Sequence, residues 1–351
     1  MKTAHHIYFS NANHMAEIPC DSIDLVITSP PYPMIEMWDD LFARLNPEIG
    51  NFLKKEKGMQ AFDLMHRELE AVWEEVFRVV KNGGFICINI GDATRSIAGN
   101  FALYPNHSRI VSHMQQKGLM PLPEILWRKQ TNAPNKFMGS GMLPAGAYVT
   151  LEHEYILIFR KGSKREFRTG QEKTLRRQSA YFWEERNIWF SDVWTDIRGT
   201  GQNLLDSKVR KRSGAFPFEI PFRLIQMFSV YGDTVLDPFL GSGTTVFAAM
   251  ASARNSVGYE LESGFGNLIF SGCENIPAFA QKRIRERMEN HAEFVRKRSE
   301  EKKGVKYISR YCNAAVMTAQ ERELLFYEPE QMEKTGENVF QIRYRPAPAR
   351  E

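Results

Sequence analysis

Residues 28–32 read Thr28-Ser29-Pro30-Pro31-Tyr32 and follow a short apolar run, Leu25-Val26-Ile27. The run has the character of a buried parallel strand. Two prolines in succession end it, because neither has an N–H to give a ladder. Pro31 also holds Pro30 extended. The product is a stiff loop at the carboxyl end of a strand, where open α/β sheets bind ligands. It offers the Ser29 hydroxyl, backbone carbonyls and the Tyr32 ring. That set suits a planar ring bearing an amine. The ring stacks on Tyr32, while the NH2 donates to Ser29 and to the Pro30 carbonyl, which draws the nitrogen lone pair out of plane towards an electrophile. Taken alone, the same residues also read as a proline-terminated strand beside an exposed tyrosine.

A second constellation lies late in the chain. The strand Thr234-Val235-Leu236 leads into Asp237-Pro238-Phe239-Leu240-Gly241-Ser242-Gly243-Thr244-Thr245, then a helix, then a strand near Ser256–Tyr259 with Glu260 at its end. Gly241 and Gly243 allow close backbone approach at a helix start. Glu260 stands 23 positions after Asp237, near the offset at which an acid takes ribose hydroxyls. The loop is neither Gly-x-Gly-x-x-Gly nor a Walker loop. A carboxylate before the glycines repels a pyrophosphate and suits an ammonium. S-adenosylmethionine has ribose hydroxyls, an ammonium and no phosphate. The alternative is a structural glycine turn.

Elements that could position these loops follow from periodicity. A strand is expected at Ile7-Tyr8-Phe9, and a short helix and turn over 14–22. Residues 34–60 look like a helical excursion on the ligand side, with Trp38 either lining a pocket or in the core. Apolar residues from Leu64 to Val80 keep helical spacing, and Asn82-Gly83-Gly84 is read as the helix stop. Phe85–Ile90 is a second buried strand. A helix is expected over 108–117, strands over 124–129 and 153–161 at an antiparallel edge, a helix over 222–230, a charged helix over 281–304 and a small strand over 339–344. Alternating strands and helices of this kind give an α/β fold, a doubly wound and mostly parallel sheet.

Residues 160–212 differ in character, with fourteen Lys/Arg against seven Asp/Glu. Aromatics, among them Phe182, Trp183, Trp189 and Trp194, lie between the basic residues. Such a mixture suits phosphate contact with base stacking, or else a solvated insertion pinned by its aromatics. Its densest basic patch is Lys208, Arg210, Lys211 and Arg212.

The chain's 351 residues and net charge of +4 permit a polyanionic partner without requiring one. Its four cysteines are scattered, which fits a reducing cytoplasm and argues against zinc or a disulfide scaffold. MKTAHHIYFS has no apolar core of a signal peptide. No apolar run nears the ~20 residues of a membrane span, so no membrane partner is expected. Cys20 follows Pro19, but it precedes the catalytic strand among acids, and we read it as structural.

The chain resembles the amino-methylating DNA methyltransferases of the permuted type, with the catalytic motif first. The resemblance rests on Thr28–Tyr32 and Asp237–Thr245 in that order, with Phe77–Gly84 and His153–Leu157 between, and it extends over roughly residues 5–285. It implies a Rossmann-like, circularly permuted S-adenosylmethionine-dependent fold with a DNA-recognition insertion. The expected division is 1–162 for the catalytic half, 163–213 for target recognition and 214–285 for the cofactor half. Residues 286–351 would be a helix and tail. It implies Ser29, Pro30, Pro31 and Tyr32 as catalytic. Asp237, Phe239, Gly241, Ser242, Gly243, Thr244 and Glu260 would be cofactor-binding, with no metal. Asn11 joins them, although relatives often carry Gly-Asp where this chain has Ser10-Asn11. Serine in the first motif position implies the N4 amine of cytosine. Adenine N6, or a DNA-binding protein that kept the fold without turnover, are the alternatives. The expected partners are duplex DNA with a flipped base and a cognate restriction endonuclease as a genetic partner.

Overall fold

The computed structural model describes residues 1–129, 139–199, 216–301 and 304–348. Lys208, Arg210, Lys211 and Arg212 lie outside the described residues.

Strands β1 (Lys2–Tyr8), β2 (Ile23–Thr28) and β3 (Val80–Ile90) come early in the chain. Helices α1 (Asp39–Leu45), α2 (Pro47–Lys54) and α3 (Gly58–Val79) join β2 to β3. A hairpin follows, β4 (Ala93–Ile97) and β5 (Asn100–Tyr104), then α4 (Asn106–Gln116), β6 (Leu119–Arg128) and β7 (His153–Lys161). Next come α5 (Gly170–Gln178), α6 (Trp183–Trp189), β8 (Val193–Trp194), α7 (Glu219–Phe228), β9 (Thr234–Asp237), α8 (Thr244–Ala251) and β10 (Asn255–Tyr259). The chain closes with α9 (Gly266–Glu300), the short strands β11 (Tyr307–Ile308) and β12 (Ala315–Val316), and the hairpin β13 (Tyr327–Gly336) and β14 (Val339–Pro346).

Among the described residues ten strands form one sheet in the order β13-β14-β1-β10-β9-β2-β3-β7-β6-β8. The five in the middle, β1, β10, β9, β2 and β3, are mutually parallel. β7 pairs antiparallel with both β3 and β6, as the sequence led us to expect of that edge. Side chains alternate across the sheet. Val26, Ile86 and Ile88 pack with α3 on one face. Leu25, Ile27 and Cys87 pack with α7 and α8 on the other. Burial on both faces explains the unbroken apolar runs of β2 and β3.

β2 and β9 lie side by side, Leu25 opposite Val235 and Val26 opposite Leu236. From β9 the chain runs through α8 to β10 on one side, and from β2 through α3 to β3 on the other. This is the switch point at which a doubly wound sheet opens a crevice. The two motif loops leave from these neighbouring carboxyl ends.

Several sequence expectations need correction. Residues 14–22 form turns rather than a helix. Asn82-Gly83-Gly84 does not cap α3, which ends at Val79 and passes directly into β3. Gly83 is glycine because its φ is +86° and a Cβ there would stand 2.9 Å from the Arg165 backbone nitrogen. The hairpin β4–β5 was not foreseen. Phe182, Trp189 and Trp194 are buried, so among these the pinning role wins over base stacking. Residue 285, an expected boundary, falls inside α9. The tail beyond it joins the main sheet, because β14 pairs with β1, and Phe340 is buried among Ile7, Ile269 and their neighbours. Among the described residues no helix is long and apolar enough to cross a membrane.

If the tail is part of the fold, Phe340→Ala should cost about 3–5 kcal/mol, the usual penalty for emptying a buried phenylalanine site. Equilibrium urea unfolding reads this; a change below about 1 kcal/mol would mean that the hairpin is an appendage.

Candidate active site

Thr28, the last residue of β2, donates its hydroxyl to Asp237 Oδ1 at 2.7 Å. Thr245, in the first turn of α8, donates to Oδ2 at 2.6 Å, and the Phe239 N–H donates to Oδ1 at 3.0 Å. One buried carboxylate thus ties the catalytic strand, the cofactor strand and the glycine loop together. Above it opens a cavity of about 390 Å³, within the range of small-molecule sites. Ser29, Pro30, Pro31 and Tyr32 line it on one side. Asp237, Phe239, Gly241, Ser242, Thr244 and Glu260 line it on the other, and Asn11 stands at its rim. The residues that the motifs and the resemblance pointed to thus line one cavity, with one exception. Gly243 does not line it. That glycine begins α8 at φ +94°, with Phe247 placed 2.8 Å from any added Cβ, so its requirement is conformational.

The excursion after Tyr32 forms a roof. Ile35, Trp38, Leu41 and Leu45 line the cavity at helical spacing, and Trp38 serves both readings, lining the cavity while packing against the core. Arg95 holds Asp39 with two parallel hydrogen bonds of 2.9 and 2.7 Å. Arg44 reaches across to Glu262 at 2.6 Å.

Three functional residues were missed from sequence. The Tyr32 hydroxyl donates to Glu154 Oε2 at 2.9 Å and accepts from Asn89 Nδ2 at 2.8 Å. Asn89 also donates to Glu154 Oε2 at 2.7 Å, and Lys129 donates to Glu154 Oε1 at 2.7 Å. Ser29 Oγ lies 3.0 Å from the Tyr32 oxygen. Because the Tyr32 proton goes to Glu154, Ser29 donates to Tyr32, and the Ser29 lone pairs are left as acceptors. Burial, then the Glu154 charge, raises the Tyr32 phenol well above its ordinary value, so it remains a donor. Gly91 lies against the Tyr32 ring; a Cβ there would stand 3.0 Å from it. The only sequence signal for Glu154 was its place in the His153–Leu157 segment, which carried no chemical reading.

Both acids on the cofactor side have raised pKa values. Burial lifts Asp237 to about 6 despite its three hydrogen bonds. Burial lifts Glu260 to about 7, against the Glu262 and Gly241 N–H donors at 2.8 and 2.7 Å. These two acids lack a positive partner among the described residues. A ligand that brings positive charge and hydroxyl groups would meet that need. Each carboxylate keeps acceptor capacity beyond the bonds it already makes.

A doubly wound sheet with a serine-proline loop on one lip of its switch-point crevice, and an acid-and-glycine pocket on the other, has the architecture of a Rossmann-like group-transfer enzyme. A family model described as DNA methylase, of the N6/N4 type, matches residues 23–271. The type II methyltransferase M.MthZI of Methanothermobacter thermautotrophicus is 52% identical over 346 residues, covering 98% of this chain and 96% of that protein. M.MjaI of Methanocaldococcus jannaschii is 51% identical over 304 residues, covering 84% and 97%. Among solved structures, the Thermus thermophilus protein TTHA0409 complexed with S-adenosyl-L-methionine superposes with a TM-score of 0.60 at 29% identity, covering 78% of this chain and 96% of that one. The chain belongs to the N6/N4 DNA methylase family; it is a DNA methyltransferase.

The Asp237 shift gives a signed expectation. Its folded pKa of about 6 exceeds the ordinary value of 3.8, so its contribution to ligand-free stability is full below about 4 and is lost as pH rises through about 6. Asp237→Asn removes that loss. Urea unfolding of both proteins from pH 4 to 8 should show the variant gaining on the wild type up to about pH 6 to 7 and running parallel above. A difference that does not change with pH would remove the charge from the account.

Proposed function

We propose that this enzyme transfers a methyl group from S-adenosylmethionine to the N4 amine of cytosine in duplex DNA, as the modification enzyme of a type II restriction-modification system. The observation that carries the reading is the line Ser29–Tyr32–Glu154, with a hydroxyl acceptor facing the cavity at its head. When bound, the donor supplies an electrophilic methyl carbon on a positive sulfur. Asp237 would hold its ammonium and Glu260 its ribose hydroxyls, with Gly241 and Ser242 close to its chain. Asn11 would meet the adenosine end, its Oδ1 already engaged by the Asn13 N–H at 3.0 Å.

The target base leaves the duplex at a cost of a few kcal/mol. Stacking on Tyr32 returns ~1–3 kcal/mol. Ser29 Oγ and the Pro30 carbonyl accept the two amine protons and fix the nitrogen lone pair towards the methyl carbon. The nitrogen–carbon bond forms as the carbon–sulfur bond breaks, and the donor leaves as a neutral thioether. The amine, now positive, must lose one proton. It passes to Ser29 as Ser29 gives its own to Tyr32 and Tyr32 gives its own to Glu154, with Lys129 on the other carboxylate oxygen. Positioned dipoles and a ready proton route carry the rate, with no covalent enzyme intermediate.

Serine at the head of the motif favours cytosine N4. Adenine N6 would use the same grip, and the two readings differ in the base taken and hence in the product. Restriction-modification is supported by the type II names of M.MthZI and M.MjaI, each matched over nearly its full length.

Digestion of methylated genomic DNA to nucleosides should yield N4-methylcytosine; N6-methyladenine instead would overturn the choice of base. Tyr32→Phe keeps the ring and cuts the proton route. It should lower the single-turnover transfer rate about 10²-fold while the donor dissociation constant stays put. Asp237→Ala should do the reverse first, weakening donor binding at least tenfold. Unchanged donor binding in Asp237→Ala would move the ammonium site elsewhere.

A further inference from the structure

The basic excess of residues 160–212 reaches well beyond the four residues that lie outside the described chain. A broad cleft of about 1430 Å³ opens between the α5–α6 segment and residues 310–323 of the tail. Ser229 and Val230, which lead into β9, form part of its wall. It therefore lies at the amino end of β9, whereas the catalytic cavity lies at the carboxyl end. A second hollow of about 260 Å³ continues it past Asp24, at the amino end of β2, and adds Lys164.

Charge on this surface is only partly compensated. Arg165 is paired with Asp233 at 2.7 Å, Arg168 with Glu166 at 2.8 Å and Arg177 with Glu323 at 3.7 Å. Lys164, Lys173, Arg176, Arg186, Arg310 and Arg322 also line the two hollows, are all exposed, and have no carboxylate at ion-pair distance among the described residues. Six uncompensated cations on one concave surface stand out in a chain whose net charge is +4. Two of them are pre-positioned. Arg176 lies over the Phe167 ring at 4.7 Å, and Arg186 over Phe190 at 5.4 Å. Such stacking orders a guanidinium while its N–H donors remain available to an oxyanion. A solvated face has no need of cations drawn from two separate segments of chain around one hollow. Spaced phosphates do, and neutralising them releases counterions.

A duplex that presents its base at the carboxyl ends of the strands does not reach their amino ends unless it bends round the molecule. We propose that this cleft is a second, sequence-independent binding site for duplex DNA, which seats the backbone of a DNA segment other than the one being methylated. The proposal rests on membership of the DNA methylase family and is independent of which base is modified. Its effect is to hold the enzyme on long DNA between target encounters.

The test uses the full chain carrying Lys173→Gln, Arg176→Gln and Arg186→Gln, with a thermal melt to confirm folding. The exposed single variant Lys173→Glu serves if the triple variant is unstable. Binding of a labelled 30-bp duplex of random sequence is followed between roughly 50 and 200 mM salt. Loss of three phosphate contacts should make the slope of log K against log salt shallower by about 2.7. Wild-type enzyme on an immobilised duplex should capture a second, labelled duplex, and the variant should lose that capture. At saturating genomic DNA the variant should keep the wild-type transfer rate, while the DNA needed for half-saturation rises several-fold. An unchanged slope with retained capture overturns the proposal. Loss of the saturated rate also overturns it, because the cleft would then belong to the methylated segment. Displacement of the captured duplex by RNA in preference to DNA would overturn the assignment to DNA.

Discussion

The Asp237 carboxylate, buried beneath the cavity and bonded to Thr28, Phe239 and Thr245, is the constraint on which the site depends. It joins residues 209 positions apart in the chain and fixes the spacing between the serine-proline loop and the glycine loop. Burial raises its pKa to about 6, which means that the folded protein carries an electrostatic cost in the empty pocket. Under the proposed reading, a cationic ligand held there would recover that cost. Stability given up at one buried acid would then be tied to binding at the same acid.

The opposite lip also ends in a carboxylate. Here a line of hydrogen bonds runs from Ser29 through Tyr32 to Glu154, with Asn89 and Lys129 fixing its far end. One lip therefore carries two buried acids that would suit a positively charged ligand. The other presents the Ser29 hydroxyl with the Glu154 carboxylate behind it, which in the proposed reaction would receive the proton of the amine. The roof over both lips is fastened on one side to the β4–β5 hairpin through Arg95 and on the other to the loop after β10 through Arg44.

The edges of the sheet serve different ends. β7 brings Glu154 and Tyr155 antiparallel against β3, so an acid from the middle of the chain reaches the catalytic loop. β13 and β14 cover the β1 edge and add Phe340, Ile342 and Tyr344 to the core. The tail also carries Arg310 and Arg322 to the basic cleft, which links the last part of the chain to the stretch around α5 and α6.

The sequence alone determined the residues of the two loops and the strands that carry them. Proline pairs, glycine pairs and unbroken apolar runs restrict the backbone locally, and local restriction is what sequence patterns report. The antiparallel edge and the strand 153–161 were legible for the same reason. Only the tertiary structure decided that Glu154, Asn89 and Lys129 complete the site, since their meeting depends on strand pairing and on which face each residue presents. Gly83 was misread as a helix stop, because a positive φ and the nearby Arg165 backbone require glycine there; a positive φ also marks Gly243, which its place in the glycine loop did not announce. Phe182, Trp189 and Trp194 looked available for stacking because composition cannot tell an aromatic that pins an insertion from one that meets a partner; burial makes that distinction, and burial exists only once the chain has folded.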